Sequence, residues 1–372
     1  MPYKDLHDSP FDEATIAKLE IFEDYAQAWI PTFVMQGVPK ISIFDFFSGT
    51  GYDKNGIPGS PIRILEKIKE QIGYIFQKKV NIKVYLNEFE PNKKDQIKFE
   101  LLKKACSEYL ETHKDVKRAI EIEYFNEDFG ELFPKLINVI RQFPALVYLD
   151  QNGIKFLSDK YLSELEKTKQ TDFLYFVSAS YFWRFGDSKE FKEHLDIDMA
   201  TAKKDPYKFI HRNIIEQLRK NLPGNTKVKL YPFSLKKGAN IHGIIFGASH
   251  PRAVDKFLSI AWKRNETNGQ ANFDIDDDSK KSQLDMFSGK NLTKIEEFQE
   301  NLRAKVLSKE IKNNFDALHF VHDEGHIGNH AAECLRKMKK EGEITYDGTS
   351  PLVTYDNVYK NKKTVEYKIL KK

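Results

Sequence analysis

Carboxylate side chains recur where successive apolar segments of this chain end. Asp45, Glu88, Asp128 and Asp150 each stand at or near the end of such a segment, and Glu90 is an alternative to Glu88. If the segments are parallel strands, their carboxyl ends meet at one edge of a sheet, where ligands bind. A single acid at such a position is an ordinary loop residue, but four in succession favour a ligand cleft.

Two of these acids match roles known from nucleoside sites. An acid at the end of the second strand hydrogen-bonds ribose hydroxyls in nucleotide-binding sheets, and this role is predicted for Glu88. Asp128 follows the third segment, where an adenine amino group would be met. The acids therefore predict a site for a ligand that contains a nucleoside.

Glycines accumulate directly after the first of these segments. The sequence "FDFFSGTGYDKNGIPGSPIRILEKI" holds Gly49, Gly51, Gly56 and Gly59. Ser60 and Pro61 then provide an N-cap and a first helical residue. Backbone N–H groups of such a loop, together with the helix dipole, point at an anion or a nucleotide. A plain tight turn is the alternative interpretation of Gly49 and Gly51.

The elements that must position these residues follow from hydrophobic spacing. Apolar and amphipathic segments alternate, which predicts an α/β fold with a mostly parallel sheet and helices on both faces. The predicted strands are Ile41–Phe47, Ile82–Leu86, Glu121–Phe125, Ala145–Asp150, Asp172–Ser178, Val228–Leu235 and Ile241–Ala248. The last two form a hairpin that adds one antiparallel edge strand. The predicted helices are 11–38, Ile62–Phe76, Lys93–Tyr109, Phe133–Arg141, Ser158–Lys167 and Pro251–Arg264.

The remainder of the chain has a different organisation. Residues 265–290 are polar and lack periodicity, which predicts a linker or a mobile loop. Two helical segments, 292–313 and 327–341, precede a short β-hairpin, and this order is typical of a winged helix. We therefore expect a Rossmann-like domain over 1–264, a linker over 265–290 and a winged-helix-like module over 291–372.

Composition narrows the class of protein. No apolar stretch in the 372 residues is long enough to cross a bilayer. The polar N-terminus does not have the composition of a secretory signal. Cys106 and Cys334 form no CxxC pair, so the sequence predicts no metal site and a reducing, cytoplasmic location.

The motifs "FDFFSGTG", "NEFEP", "NEDF" and "YLDQNG", in this order, resemble the successive motifs of class I S-adenosylmethionine-dependent methyltransferases. The layout of roughly residues 15–264 is similar to that of the three-Cys-motif partner proteins (TcmP). The similar segments are "YAQAWIPTF", "DFFSGTGYDKNGIPGSPIRILEKI", "LDQNG" and "HGIIFGASHPRAVDKFLSIAWK".

The resemblance implies a methyltransferase-like Rossmann core, S-adenosylmethionine as cofactor, a bacterial context and a separate three-Cys-motif protein, encoded nearby, as partner. The cofactor would contact Asp45, Gly49, Gly51, Glu88 and Asp128. Asp150 and Asn152 would then orient or deprotonate the methyl acceptor. We expect methyl transfer to nucleic acid or to a nucleic-acid-associated substrate, and the alternative is a non-catalytic module that senses a nucleotide and recruits DNA or the partner.

The chain departs from the methyltransferase pattern in two places. "YDKNGIP" lengthens the loop between the glycines and the helix, so Tyr52 or Asp53 is positioned to cover a ligand. Asp150-Gln-Asn-Gly replaces the Asn/Asp-Pro-Pro-aromatic motif that holds an amino group for N-methylation. Neither cysteine follows a proline, which disfavours a cysteine-dependent cytosine C5 mechanism.

Three further segments have a functional and a structural interpretation. In "SASYFWRFGD", Tyr181, Phe182 and Trp183 would stack a base and Arg184 would bind a phosphate, or the segment is a core helix. His322, His326 and His330 have the spacing of metal ligands on a helix, but Gly325 and Gly328 favour a polar helix–turn joint. Residues Gln283–Phe287 resemble a peptide that binds the bacterial sliding clamp, or they pack against the winged helix.

The C-terminal tail carries an excess of positive charge. Residues 331–372 contain ten Lys or Arg against six acids. We expect four of the cations to contact nucleic-acid phosphates, namely Arg336, Lys337, Lys339 and Lys340. A solvated surface helix or a protein-binding module is the alternative.

Overall fold

The fold is described from a computed structural model of the chain, over residues 10–91, 97–150, 158–195, 197–281 and 291–370. The chain forms two compact units, Met1–His250 and Pro251–Lys372. The helix that follows the sheet, Pro251–Arg264, therefore belongs to the second unit, whereas the sequence analysis grouped it with the first. No helix in the described ranges has the length and apolar character needed to span a membrane.

The first unit contains a seven-stranded sheet with the order β3-β2-β1-β4-β5-β7-β6. Strands β1 to β5 are parallel, and β7 runs antiparallel to both β5 and β6. The strands are β1 (Lys40–Asp45), β2 (Asn81–Asn87), β3 (Ile120–Phe125), β4 (Ala145–Leu149), β5 (Thr171–Ser178), β6 (Lys229–Lys237) and β7 (Asn240–Ala248). The order of the first five is that of the doubly wound, Rossmann-like fold.

The hairpin confirms one antiparallel strand but corrects its predicted position at the sheet edge. Strand β7 lies between β5 and β6, so the edge strand is β6. The sequence agrees with this order, because β6 contains Pro232, which has no N–H to donate, and proline within a sheet is found mainly on edge strands. Strand β7 is almost wholly apolar after its first residues and is buried along most of its length.

Helices connect the strands of this sheet. They are α1 (Glu13–Gln36), α2 (Ser60–Glu70), α3 (Ile72–Lys78), α4 (Ile97–Thr112), α5 (Lys114–Ala119), α6 (Phe129–Ile140), α7 (Asp159–Glu166), α8 (Ala179–Phe185), α9 (Lys189–His194), α10 (Met199–Ala202) and α11 (Ile210–Asn221), with a 3-10 turn at Tyr207–Phe209. The predicted helix Ile62–Phe76 is thus divided at Gln71. Helix α8 lies in the segment for which a core helix was one interpretation, whereas α9 to α11 occupy a segment without a predicted element.

Helix α1 has clear local signals at both ends. The Asp12 side chain accepts a hydrogen bond from the Thr15 N–H, and Gly37 ends the helix in the left-handed conformation. Its apolar face is buried, and Phe22 stacks on Tyr148 of β4 with ring centroids 3.9 Å apart. This packing fixes α1 against the sheet and, with it, the position of Lys18.

The second unit has five helices and a two-stranded sheet within the described residues. These are α12 (Pro251–Arg264), α13 (Asp278–Lys281), α14 (Lys294–Leu307), α15 (Asn314–Asp323), α16 (Gly328–Lys340), β8 (Ile344–Thr345) and β9 (Lys368–Ile369). Leu302, Leu318, Leu335 and Ile344 are fully buried in one apolar core. Hydrophobic spacing missed α15 because its polar and histidine residues interrupt the apolar pattern.

The described part of the predicted linker is tied to the second unit. The Asn265 side chain donates to the carbonyls of Ala271 and Phe273, and the Lys294 ammonium donates to the Asn268 carbonyl. The terminal hairpin is present as β8 paired with β9, although each strand has only two residues. The connection between them contains a π-helical turn at Asp356–Lys360. The predicted clamp-binding peptide, Gln283–Phe287, lies outside the described residues.

Candidate functional site

The carboxyl ends of β1, β2 and β4 meet at one edge of the sheet. Asp45, the last residue of β1, is in register with Leu86 of β2 and with Tyr148 of β4. Neighbouring strands are ~4.8 Å apart, so the residues that follow these strands lie close together. The structure thus brings Asp45, Glu88 and Asp150 to the same edge, as predicted from their positions in the sequence.

Asp45 is a buried carboxyl group held by the helix that follows the glycine loop. Its oxygens accept hydrogen bonds from Ser60 Oγ at 2.6 Å and from the Phe47 N–H at 3.2 Å. Burial raises the pKa of Asp45 to about 7, and the negative charges of Asp150 and Glu88 act in the same direction. Asp45 therefore links β1 to α2 and can exchange a proton near neutral pH.

Glu88 closes the glycine loop. Its Oε2 accepts a hydrogen bond from the Gly49 N–H at 2.7 Å, and Gly49 has a φ of 65° that favours glycine. The Gly59 N–H, at the start of α2, donates to the Gly51 carbonyl at 2.8 Å. Donors that would face an anion are thus used inside the protein, which counts against the anion-binding interpretation of this loop.

Gly51 is required by packing. Its φ is 90°, and a Cβ at this position would lie 2.6 Å from the Cβ of Ala105 in α4. The glycine allows α4 to approach the loop closely, a reason that the sequence pattern alone does not reveal. A substitution at Gly51 would disturb the fold before it disturbed any ligand.

Two other predicted ligands serve as helix caps. The Asp128 carboxylate accepts from the Gly130 N–H at 2.8 Å and caps α6. Glu90 accepts from the Phe99 N–H at 3.0 Å, in the first turn of α4. Of the two candidates that follow β2, Glu88 is therefore the one directed at the glycine loop.

Asn87 is a site residue that the sequence analysis missed. It is buried, and its amide donates to the carbonyls of Phe46 and Glu127, each at 3.1 Å. It also accepts from the Glu127 N–H, so it joins the ends of β1 and β3. The sequence signal was the asparagine itself, because an amide that ends an otherwise apolar strand needs partners.

Asp150, the predicted catalytic acid, forms an ion pair with Lys18 of α1. Both side chains are partly buried, and the Lys18 ammonium also lies 4.9 Å from the centroid of the Phe176 ring. Asn152 lies outside the described residues. The acid thus reaches the predicted edge, but a cation neutralises it there.

The extension between the glycines and α2 is a self-contained turn. The Asp53 carboxylate accepts from the N–H groups of Phe11, Asn55 and Ile57. Tyr52 forms a bridge with Pro58 and is exposed. Asp53 therefore stabilises the loop and the start of the chain, so it is not directed at a ligand.

The cysteines do not have the character of nucleophiles. Cys106 and Cys334 are both buried, and burial raises the pKa of each thiol to about 12. A thiol with such a pKa is not ionised near neutral pH.

The histidines of the second unit are divided among separate contacts. His326 and His330 approach each other with their Nδ1 atoms 3.0 Å apart, whereas His322 lies beside Asp255. Burial lowers the pKa of His326 to about 2 and that of His330 to about 4. Helix α15 ends at Asp323 and α16 begins at Gly328, so this segment is a helix–turn joint.

Helix α16 presents one polar and charged face. This face contains Asn329, Glu333, Arg336, Lys337 and Lys340, and all five residues are exposed. Lys339 is different, because its ammonium donates to the carbonyls of Tyr346 and Gly348 at 2.7 and 2.8 Å. Three of the four predicted cations are therefore available to a partner, and the fourth fastens the segment after β8.

Comparison with known families matches most of this second unit to a described domain. A model of the family described as GMT-like wHTH domain matches residues 265–351. A search of curated proteins found no match. The chain thus combines a mostly parallel, Rossmann-like α/β unit with a winged helix-turn-helix domain.

Proposed function

We propose that this chain binds S-adenosylmethionine and transfers its methyl group to nucleic acid or to a nucleic-acid-associated substrate, together with a three-Cys-motif partner protein. The observation that carries the proposal is the contact between Glu88 Oε2 and the Gly49 N–H at the carboxyl edge of the sheet. In this arrangement a carboxylate lies beside a glycine turn, next to the buried Asp45, where a ribose diol can donate to it.

The electrostatics of this edge favour a cationic ligand without phosphates. Asp45 and Glu88 lie there, Asp150 beside them is paired with Lys18, and loop donors are already bonded to carboxylate or carbonyl oxygens. S-adenosylmethionine has a sulfonium cation, an amine and a ribose diol. A dinucleotide would bring a negatively charged pyrophosphate to an acidic edge, which is unfavourable.

S-adenosylmethionine would supply an electrophilic methyl carbon, and the residues of this chain would position it against the acceptor. Glu88 would hold the ribose, and Asp45 would keep the glycine loop attached to α2. Positioning of donor and acceptor within contact distance accounts for most of the rate in such a transfer. The winged helix-turn-helix unit supports a nucleic-acid acceptor, since Arg336, Lys337 and Lys340 lie on one helix without a role in the core.

The Lys18–Asp150 ion pair favours a second candidate function, a nucleotide sensor without catalysis. The Asp150 carboxylate, which was the candidate for orienting or deprotonating the acceptor, is already bonded to the Lys18 ammonium within the protein. In this function the sheet unit binds the same ligand, and the winged helix-turn-helix unit recruits nucleic acid or the partner protein.

Calorimetry with S-adenosylmethionine tests the ligand site. Glu88→Gln is expected to weaken binding about 10-fold or more, because an amide is a poorer acceptor for two hydroxyls than a carboxylate. Glu90→Gln is the matched control and should bind as the parent does, since Glu90 serves α4. Equal affinity in the parent and Glu88→Gln, or no binding by the parent, would contradict the proposal.

Transfer of a labelled methyl group separates the two functions. The full chain, the partner protein, labelled S-adenosylmethionine and nucleic acid are incubated together, and label on the nucleic acid or the partner is measured. Incorporation identifies a methyltransferase. Tight binding without incorporation identifies the sensor.

A further inference from the structure

Helix α8 exposes aromatic rings at the carboxyl edge of the sheet. It starts at Ala179, directly after β5, and β5 is two strands away from β1 in the sheet. At ~4.8 Å per strand, α8 starts about 10 Å from the end of β1. In the sheet order, β2 and β5 lie on opposite sides of β1. A ligand above the end of β1 would therefore have Glu88, which follows β2, on one side and α8 on the other.

The exposure of these rings is uneven along the helix. Ala179 and Phe182 are buried and attach α8 to the unit, whereas Trp183 is 36% exposed and Phe185 is 46% exposed. Large exposed aromatic groups beside a ligand-binding edge indicate an interaction surface. Phe182 thus has the structural role considered for this segment, while Trp183 and Phe185 do not.

Neighbouring rings hold the exposed ones in place. Trp183 meets Tyr207 in an edge-to-face contact with centroids 5.5 Å apart, and Tyr181 lies 4.8 Å from Phe185. The Lys203 ammonium lies 5.8 Å from the Trp183 ring and is bonded to Asp187 at 2.6 Å. We refer to Trp183, Phe185 and Tyr207 as the aromatic platform.

The charge at the platform is complementary to phosphate. Of the aromatic residues of α8, Trp183 and Phe185 are the exposed ones, and they lie about 200° apart around the helix with the exposed Arg184 between them. Arg184 makes no ion pair with an acid in the described part of the chain. The nearest acid by sequence, Asp187, pairs with Lys203, and Asp205 accepts a hydrogen bond from Asn213. A strand of nucleic acid combines planar bases with phosphates, and proteins bind single strands through aromatic stacking together with contacts from Arg.

We propose that the aromatic platform binds single-stranded nucleic acid, with bases stacked on Trp183 and Phe185 and a phosphate on Arg184. This inference rests on the proposed function only where it assigns the bound strand as the methyl acceptor, because binding of the strand requires no S-adenosylmethionine. It also specifies the acceptor, namely an unpaired base or a base turned out of a duplex, since a paired base offers no free face.

Tryptophan fluorescence of the full chain provides a direct test. The chain has three tryptophans, and Trp29 and Trp262 are each only 2% exposed. Quenching by an oligonucleotide therefore reports mainly on Trp183. We expect single-stranded DNA or RNA of mixed sequence to quench the emission, and a blunt duplex of the same sequence to quench it far less.

Variants show whether stacking carries the binding. Trp183→Ala/Phe185→Ala is expected to bind single strands about 10-fold more weakly by fluorescence anisotropy, with unchanged duplex binding. Tyr74→Ala/Phe76→Ala, which removes two similarly exposed rings from α3, is the matched control. Arg184→Gln should lower the slope of log affinity against log salt by about 0.7, the value of one neutralised phosphate on a single strand.

Three results would overturn the proposal. They are an absence of quenching by single strands, equal affinity in the platform variant and the α3 control, and quenching by apolar peptides in place of oligonucleotides. The titrations contain no S-adenosylmethionine, so a failure here is distinct from a failure of the Glu88 site, which calorimetry reports. If the platform variant has less helical circular dichroism than the parent, Trp183→Leu replaces it and is judged by the same anisotropy.

Discussion

At the carboxyl edge of the sheet, similar acidic residues have different surroundings and therefore different roles. Asp45 is buried beneath Ser60, Glu88 accepts from the Gly49 N–H, and Asp128 caps its own helix. Asp150 is paired with Lys18. Position along the chain predicted that these acids gather at one edge, but only their partners distinguish a ligand contact from a cap.

The two glycines of the loop also differ, and Gly51 leads to a prediction about a single residue. Gly51→Ala is expected to destabilise the fold by about 2–4 kcal/mol, because it adds left-handed strain to a close contact with Ala105. Urea unfolding measures the change in stability. In the double variant with Ala105→Gly, the part of the lost stability that comes from the close contact should be recovered, whereas the part that comes from backbone strain should remain. A cost below about 0.5 kcal/mol would show that the loop can move away from α4.

Among the elements, α16 carries cationic side chains with two different roles. Lys339 bonds to backbone carbonyls, and the other cations face away from the core. Met338 and Leu335 fix the helix in the core, and this directs Arg336, Lys337 and Lys340 outward. Gly328 starts the helix where a Cβ would collide with the Val353 carbonyl oxygen. The helix is therefore held by its apolar face and its first residue, and its polar face is available to a partner.

Substitutions on α16 should separate these roles. Arg336→Gln/Lys337→Gln/Lys340→Gln is expected to lower duplex affinity and to reduce the salt slope by up to about 0.9 for each phosphate that the helix no longer neutralises, with little change in stability. Lys339→Ala should instead cost about 1 kcal/mol of stability, since it removes bonds to two carbonyls. The same salt slope in the triple variant and the parent would show that these three cations do not contact nucleic-acid phosphates.

Across the whole molecule, the two units contain buried ionisable groups of opposite kind. Burial raises the pKa values of Asp45 and Asp172 in the sheet unit to about 7, although His211 in the same unit has a pKa lowered to about 4. In the winged helix-turn-helix unit, the pKa values of His326 and His330 are both lowered by burial, with Lys294 adding to the effect. The units should therefore respond differently to acid.

We expect the second unit to lose stability as the pH falls from about 6.5 to about 4. In this window the unfolded histidines bind protons and the folded ones do not, so acid favours the unfolded state, by roughly 1–3 kcal/mol. In the sheet unit, Asp45 and Asp172 take up protons in the folded state over the same range. This uptake offsets the acid destabilisation caused by His211 and His242, because burial lowers the pKa of both histidines. Hydrogen exchange of the full chain at pH 7 and pH 5, corrected for intrinsic rates, measures both units.

The matched variants for this prediction are His330→Asn and His319→Gln. His330→Asn removes one buried imidazole and should reduce the acid-induced destabilisation of α15 and α16. His319 is exposed, and its Nε2 lies 3.0 Å from the Tyr359 hydroxyl, so His319→Gln should leave that destabilisation in place. An equal or larger destabilisation in His330→Asn would show that the histidine pair is not its source.

Residue spacing alone was sufficient to predict the alternation of strands and helices, the edge where the acids meet and the winged-helix outline of the C-terminal unit. These features depend on apolar periodicity and on turn residues, which act over a few positions. The predicted strands agree with the observed ones to within about two residues, and the winged helix-turn-helix domain is independently supported by the family match.

Long-range packing, in contrast, set the order of the last two strands, the presence of α15 and the partner of each charged side chain. Lys18 meets Asp150 across 132 positions of the chain, and Gly51 meets Ala105 in another helix. A charged or polar side chain takes the partner that folding places within bonding distance, and local spacing does not contain that distance. Residue types therefore indicated where chemistry can occur, while the folded arrangement determined which groups are free to perform it.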